Sequence, residues 1–176
     1  LKAAIEARKC GCDVLLISKS KVGLGNNTSI SGSAFAAATG WHEPSDNPGV
    51  HFEDTVTVGK FINDQKLVEI MVGGAKEQIH DLERLGVKFI KKDKKYWVMT
   101  TPGHTYPRIF KPRQGVGTGH TIPLRRHASG IGVRTMQNVL VTRLVKANGT
   151  ISGAVGIDKN GDLFVFHAKS VILATG

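Results

Sequence analysis

Hydrophobic positions fall into several periodic patterns along the chain, and each predicts a different element. In Leu1–Lys9, Leu1, Ala4 and Ile5 share one face of a segment built from strong helix formers, and Gly11 stops it. Residues 13–18 are a short, nearly continuous apolar run ending in Ser18, which predicts a strand buried on both faces, as in a parallel sheet. Asp64 is placed to cap a long helix over Gln65–Leu85. Its apolar positions Leu67, Ile70, Met71, Ala75, Ile79, Leu82 and Leu85 follow the three-and-four spacing; Gly73-Gly74 weakens its middle and Gly86 ends it. Three strands are predicted at Val139–Val145, Ile151–Asp158 and Leu163–His167, separated by the hairpin signals Asn148-Gly149 and Asn160-Gly161. A hairpin is expected over Val87–Thr100, with its turn in the run Lys91–Lys95, and a final buried strand at Val171–Ala174. Weaker patterns suggest short helices at Ser31–Ala38, His51–Gly59 and Gly130–Gln137. Trp41–Val50 reads as surface loop, and Pro102–Pro123 shows no clear periodicity. A helix, a short turn and a buried strand make half of a βαβ unit. The fold class expected is therefore α/β: a Rossmann-like parallel sheet with an added antiparallel meander.

Composition narrows the chemistry. The 176 residues suit one ordinary domain. They are 40% hydrophobic and 22% charged, which excludes disorder throughout, and no apolar run is long enough for a transmembrane helix. Cys10 and Cys12 are too few and too closely spaced for a disulfide framework or an all-cysteine zinc site; they read as small packing residues, reduced in a cytosolic setting. Twenty-four Lys and Arg against 14 Asp and Glu give a net charge of +10, which attracts anions of any kind. The 21 glycines exceed the ~7% average share and cluster where a backbone turns tightly or approaches a ligand.

Three segments carry candidate binding chemistry. Ser18-Lys19 stands at the end of the first predicted strand. In a dinucleotide-binding βαβ that position faces the adenosine ribose; without that context the pair is a solvated strand end. The stretch from Gly23 through Asn26, Asn27, Thr28, Ser31, Gly32, Ser33 and Ala34 is small and polar enough for backbone N–H groups to reach a phosphate or a ring edge, or else it is a plain mobile loop. It lacks the Lys-Ser/Thr ending of a P-loop. Ala174-Thr175-Gly176 follows an apolar run, where a loop backbone can meet a cofactor at the carboxyl end of a sheet or simply turn. The histidines are scattered, without metal-ligand spacing on a confident helix. His120 and His127 with Arg125 and Arg126 form a basic cluster open to an anion-binding or a solvated role.

Taken together, these segments resemble the FAD domain of the succinate dehydrogenase/fumarate reductase flavoprotein family, with L-aspartate oxidase and adenylylsulfate reductase among its members. The residues that carry the resemblance are LKAAIEARKCGCDVLLISKS, NTSISGSAFAAATG, HFEDTVTVGKFINDQKLVEIMVGGAKEQIHDLERLGVKF, GHTIPLRRHASG and VILATG. The third is the most specific, with its His-x-x-Asp-Thr start, Asn-Asp-Gln before the helix and Leu-Glu-x-x-Gly-Val-x-Phe end. Ser31-Gly32-Ser33-Ala34 stands in place of the usual Ala-Gln-Gly-Gly.

The resemblance implies FAD as cofactor, held by Ser18, Lys19, Asn26, Asn27, Thr28, Ser31, Gly32, Ser33, Ala34, Val141, Ala174, Thr175 and Gly176, with the backbone at Val141 near the adenine. It implies non-covalent binding, because the histidine of covalently flavinylated members falls on Asn27 or Thr28. It implies hydride transfer at flavin N5 in a succinate/fumarate-type dicarboxylate reaction, with L-aspartate oxidase-like chemistry as the alternative. The expected partners are a small dicarboxylate and an iron–sulfur subunit, with no nucleic acid and no direct membrane insertion; the expected location is the cytoplasm, peripheral at the membrane through partner subunits. A basic module for nucleic acid or another anion, using Lys91–Lys95, Arg108–Arg113 and Arg125-Arg126, is the rival of a different class; two Tyr and two Trp leave it few stacking platforms. The family's glycine fingerprint, first strand and capping domain match nothing in these residues. They are therefore expected to be a partial FAD-binding domain, without catalytic residues, unstable and weak for FAD when alone. The stretch Gly130–Val141 looks short for the helix and strand of a crossover.

Overall fold

The computed structural model describes residues 1–32, 34–115 and 117–176. In chain order the elements are α1 (Lys2–Lys9), β1 (Leu15–Ser18), α2 (Asn27–Ile30), β2 (Phe35–Ala36), α3 (Pro48–Val58), α4 (Gln65–Arg84), β3 (Lys91–Lys92), β4 (Lys95–Tyr96), β5 (Val98–Met99), β6 (Ile109–Phe110), α5 (Thr118–Gly130), β7 (Arg134–Gln137), β8 (Val139–Ala147), β9 (Thr150–Asp158) and β10 (Leu163–His167). They divide into two compact units, one of Leu1–Ile30 with Thr121–Gly176, the other of Ser31–His120.

In the first unit β1 pairs in parallel with β7, from Leu15 against Arg134 to Ser18 against Gln137. Parallel strands need a crossover, and α5 precedes β7 to supply part of it. The helix expected at Gly130–Gln137 is thus corrected: α5 lies earlier, and Arg134–Gln137 is strand because its backbone pairs with β1. The apparent shortness of Gly130–Val141 disappears with it, since Asn138 alone, at φ 61°, separates β7 from β8. Buried Ile5 anchors α1. Arg8 of α1 donates from Nε to the Ile131 carbonyl (2.9 Å) and from Nη1 to that of Cys12 (3.1 Å), joining the ends of α1 and α5. β8, β9 and β10 form the expected antiparallel meander, with Asn148 and Gly149 both at positive φ in the first turn.

Three expectations for this unit change. β1 is only partly buried, with Leu15 exposed. Cys10 and Cys12 are free but exposed, so they are not packing residues. Val171–Ala174 is not a buried strand: it forms no ladder among the described residues, and Ile172 and Leu173 stand 66% and 64% exposed. An apolar run becomes strand only where a neighbouring edge takes its hydrogen bonds.

The second unit pairs α3 with α4 and carries a small antiparallel sheet, β2–β6–β5, and the hairpin β3–β4. Asn47 caps α3 by accepting from the N–H groups of Gly49 and Val50, and Pro48 fills the first helical position. α3 therefore begins inside the segment read as loop. Asp64 caps α4 as expected, accepting from Lys66 and Leu67, and Gly86 follows its end at φ 96°. The buried face of α4 is Val68, Val72, Ala75 and Ile79, whereas Leu67, Ile70 and Met71 are exposed. Val68 and Val72 pack on Val56 with Phe52 beside them, and this contact selects the face. The helix expected at Ser31–Ala38 is also corrected: Phe35 and Ala36 pair with Phe110 and Ile109, and the single helical turn lies earlier, at Asn27–Ile30. An aromatic cluster of Trp41, Phe89, Tyr96 and Phe110 fills the space beside the sheet, with Trp41 stacked on Tyr96 at 5.0 Å.

Candidate functional site

Ser18 closes β1, and the Ser20 N–H reaches its Oγ at 3.4 Å; Lys19 beside it is exposed. The following loop is held from behind. The Val22 N–H donates to Gln137 Oε1 (2.8 Å) and Arg125 Nη1 to the Val22 carbonyl (3.4 Å). Gly23 at φ 74° lies so close to Thr121 that a Cβ would come within 3.1 Å of its carbonyl oxygen, and Gly25 at φ 64° turns the chain again. These glycines let the backbone turn tightly while its outer side stays open.

Asn26 and Ser29 then cap each other. The Ser29 N–H donates to Asn26 Oδ1 (2.9 Å), and Ser29 Oγ donates to the Asn26 carbonyl (2.8 Å). This closure displays Asn27 and Thr28 on the surface of α2. Val141, 37% exposed, sits on β8 beside an irregularity in its pairing with β9. Ala174, Thr175 and Gly176 are exposed but join no strand, so the structure does not set them on the sheet edge beside Ser18. Gln137 is an anchor that the sequence reading missed, because its segment was expected to be helix; Arg125 was singled out only as part of a basic cluster, and its hold on the Val22 carbonyl was not foreseen.

In the second unit Ser31, Gly32 and Ala34 are exposed. The Ser31 carbonyl accepts from Gly117 (3.2 Å), and a Cβ on Gly32 would meet nothing within 4 Å. Ser33 lies outside the described residues.

A buried charged group in the same unit was read quite differently from sequence. Arg108, counted with a basic surface patch, is 0% exposed. Its Nη2 stands 2.8 Å from Asp46 Oδ1 and its Nη1 2.8 Å from Asp54 Oδ2. These are close charge contacts rather than aligned hydrogen bonds. Asp54 also accepts from the Thr105 N–H (2.9 Å) and Thr105 Oγ1 (2.7 Å). His51, 2% exposed, and His104 lie with ring centroids 5.8 Å apart. An open cavity of about 440 Å³ is bordered by the α3 residues Glu53, Asp54, Thr57 and Val58 and by the loop Gly103–Thr105.

Burial and charge compete there. Burial, then the positive charge of Arg108, pushes His51 down to about 4 and lowers His104 as well. Burial raises Asp46 against the pull of Arg108. Burial also works to raise Asp54, but the two Thr105 bonds and Arg108 together outweigh it and the net shift is downward. Elsewhere in this unit Lys91 is paired with Glu83 (2.8 Å) and lies 4.2 Å from the Tyr96 ring centroid. His120 is lowered by burial and packs edge-on to Phe89. Lys91 and Arg108 thus have intramolecular partners, which weakens the reading of a basic nucleic-acid surface. Among the described residues no group of three or more His, Cys, Asp or Glu could hold a metal ion, and no helix is long and apolar enough to cross a membrane.

Comparison with known proteins gives this arrangement a context. The chain is 32% identical to a subunit of the fumarate reductase (CoM/CoB) of Methanothermobacter marburgensis, over 99% of its own length and 32% of that protein's. The L-aspartate oxidase of Pyrococcus abyssi is 30% identical over 100% of the chain and 34% of its own. The solved structure of Mycobacterium smegmatis Sdh1 in complex with UQ1 superposes with a TM-score of 0.90 at 29% identity, over 99% of this chain and 31% of that one. The chain thus spans about a third of the length of these relatives. A family model described as FAD binding domain matches residues 1–176, and the chain belongs to that family.

Proposed function

We propose that this chain is the FAD-holding part of a flavoprotein oxidoreductase acting on a small dicarboxylate of the succinate/fumarate type. The observation that carries the reading is the loop after β1. Its backbone is pinned from behind by Gln137 and Arg125, while Lys19, Asn26, Asn27 and Thr28 remain on the exposed side. The donor set of this loop fits a dinucleotide: small side chains, amides and turning backbone. Ser18 and Lys19 would serve the ribose and its neighbouring charge, and Asn27, Thr28, Ser31 and Gly32 the flavin side. Val141 and Ala174–Gly176 would approach through their backbones. When bound, FAD supplies the hydride-accepting chemistry; the residues of this chain hold and orient it.

The binding is non-covalent on this reading, because neither Asn27 nor Thr28 can form the histidyl bond of flavinylated relatives. Electron exchange with an iron–sulfur protein partner, and peripheral attachment to a membrane through partner subunits, complete the proposal. The decisive experiment is to purify the complete protein, record its flavin absorbance, and denature it in acid. All flavin is expected in the supernatant; fluorescence that stays with the polypeptide overturns non-covalent binding, and a colourless protein that takes up no FAD overturns the reading as a whole. The likeness to L-aspartate oxidase supports a second substrate, aspartate. Parallel assays of fumarate reduction with a reduced dye and of aspartate oxidation separate the two.

A further inference from the structure

The loop Gly103–Thr105 is fastened to the rest of its unit by a short chain of contacts that begins at the sheet. The Arg108 carbonyl accepts from the Ala37 N–H at 2.9 Å, which fixes its backbone beside β2. Its guanidinium spans two carboxylates from different segments, Asp46 before α3 and Asp54 within it. Asp54 in turn receives both the N–H and the hydroxyl of Thr105. Gly103, at φ 87°, presses so closely on α3 that a Cβ would stand 2.7 Å from Val58 Cγ2. Between Gly103 and Thr105 is His104, which borders the cavity and whose buried Nδ1 has no partner among the described residues.

We propose that Arg108 is the positioning residue for this loop: lodged between Asp46 and Asp54, it fixes the carboxylate that receives both Thr105 bonds, and so sets where the His104 imidazole stands at the cavity. A planar fork suits the task, since it meets two carboxylates at once where an ammonium offers a single point of charge. The groups around His104 are Arg108, Asp54, Asp46 and His51. Burial and the Arg108 charge keep its imidazole below the ordinary histidine value, hence neutral near pH 7 and able both to give and to accept a hydrogen bond. His104 then presents a polar, uncharged group to the cavity at a fixed place. Only the activity arm of the test rests on the flavoprotein reading.

The test is an NMR titration of the His104 ring, assigned with His104→Gln, together with amide exchange across 103–105. It is done in Arg108→Lys, in the charge-balanced double variant Arg108→Gln with Asp46→Asn, and in Thr105→Val. In the unaltered protein the His104 midpoint is expected below 6.5. Each variant is expected to move it toward 6.5 and to speed exchange at 104 and 105 about tenfold or more, while α4 stays protected. Thr105 is exposed, so its variant reads the tether whether or not the Arg108 variants fold. An unchanged midpoint and unchanged exchange in Thr105→Val, or in a folded Arg108 variant, overturns the proposal. In the flavin-loaded complete protein the same variants should raise KM or move the acidic limb of the pH profile with flavin content unchanged. A complete protein that takes up no flavin, with the NMR result intact, counts against the flavoprotein reading alone.

Discussion

The backbone N–H of Val22 donates to Gln137 Oε1 at 2.8 Å, so the last residue of β7 holds the loop that leaves its parallel neighbour β1. Val22 is buried, and Gln137 is the acceptor its N–H meets there. Gln137→Met keeps the bulk and removes the acceptor. The bond is part-buried and Gln137 is exposed, so its loss is worth about 0.5–1.5 kcal/mol, the net value of an ordinary hydrogen bond. Urea unfolding of the variant should show a loss in that range, and the Val22 amide should exchange faster than in the parent. A variant equal in stability to the parent, with Val22 still protected, would show that the bond contributes nothing.

Two glycines should respond in opposite directions to alanine. Gly23 has φ 74° and would bring a Cβ within 3.1 Å of the Thr121 carbonyl oxygen, so Gly23→Ala combines left-handed strain with a backbone contact. The strain alone is worth about 1–2 kcal/mol of destabilisation. Gly73 is exposed inside α4, and a Cβ there meets nothing within 4 Å. Gly73→Ala should stabilise by about 0.5–1 kcal/mol by reducing the freedom of the unfolded chain. Thermal unfolding of both variants checks the pair, and equal signs would contradict it.

Gly153→Ala should be among the most damaging single-methyl additions in the meander. The new Cβ would overlap the Phe166 carbonyl, which is backbone of the neighbouring strand β10 and cannot swing aside as a side chain would. Overpacking costs about 1–3 kcal/mol, with the upper end expected here. Amide exchange should show β9–β10 loosening while α3 and α4 are untouched.

Acid should weaken the second unit through His51. His51 is buried and held at about 4, against 6.5 in the unfolded chain. Between those values the unfolded state binds the extra proton, so stability falls as pH falls from 6.5 toward 4, by up to about 3 kcal/mol. Asp46, raised by burial, works in the other direction above its unfolded value of 3.8, and the depressed Asp54 adds to the loss only below it. The midpoint of thermal unfolding should therefore drop between pH 6.5 and 4.5, and His51→Gln should flatten that slope. An unchanged slope would assign the acid sensitivity to other groups.

The sequence by itself determined those features whose causes are local. Asp64 capping α4, Gly86 ending it, the meander with its Asn-Gly turns, and the hairpin folding over Asp93-Lys94 all follow from residues within a few positions of one another. The family was legible for the same reason, since its signature is a series of short segments in fixed order, and so was the presence of a glycine-rich loop after β1.

Only the tertiary structure decided matters that depend on partners far along the chain. β7 is strand, not helix, because β1 supplies parallel hydrogen bonds across more than a hundred residues. α4 turns Val68 and Val72 inward, not Leu67 and Met71, because Val56 of α3 is there to meet them; periodicity alone fits two adjacent faces equally well. Val171–Ala174 has a strand's composition but no ladder, since backbone pairing needs a neighbouring edge. Arg108 reads as one more surface cation until folding brings Asp46 and Asp54 to either side of it. A buried charge is recognised by its compensating partners, and those are set by three-dimensional approach, which residue order does not record.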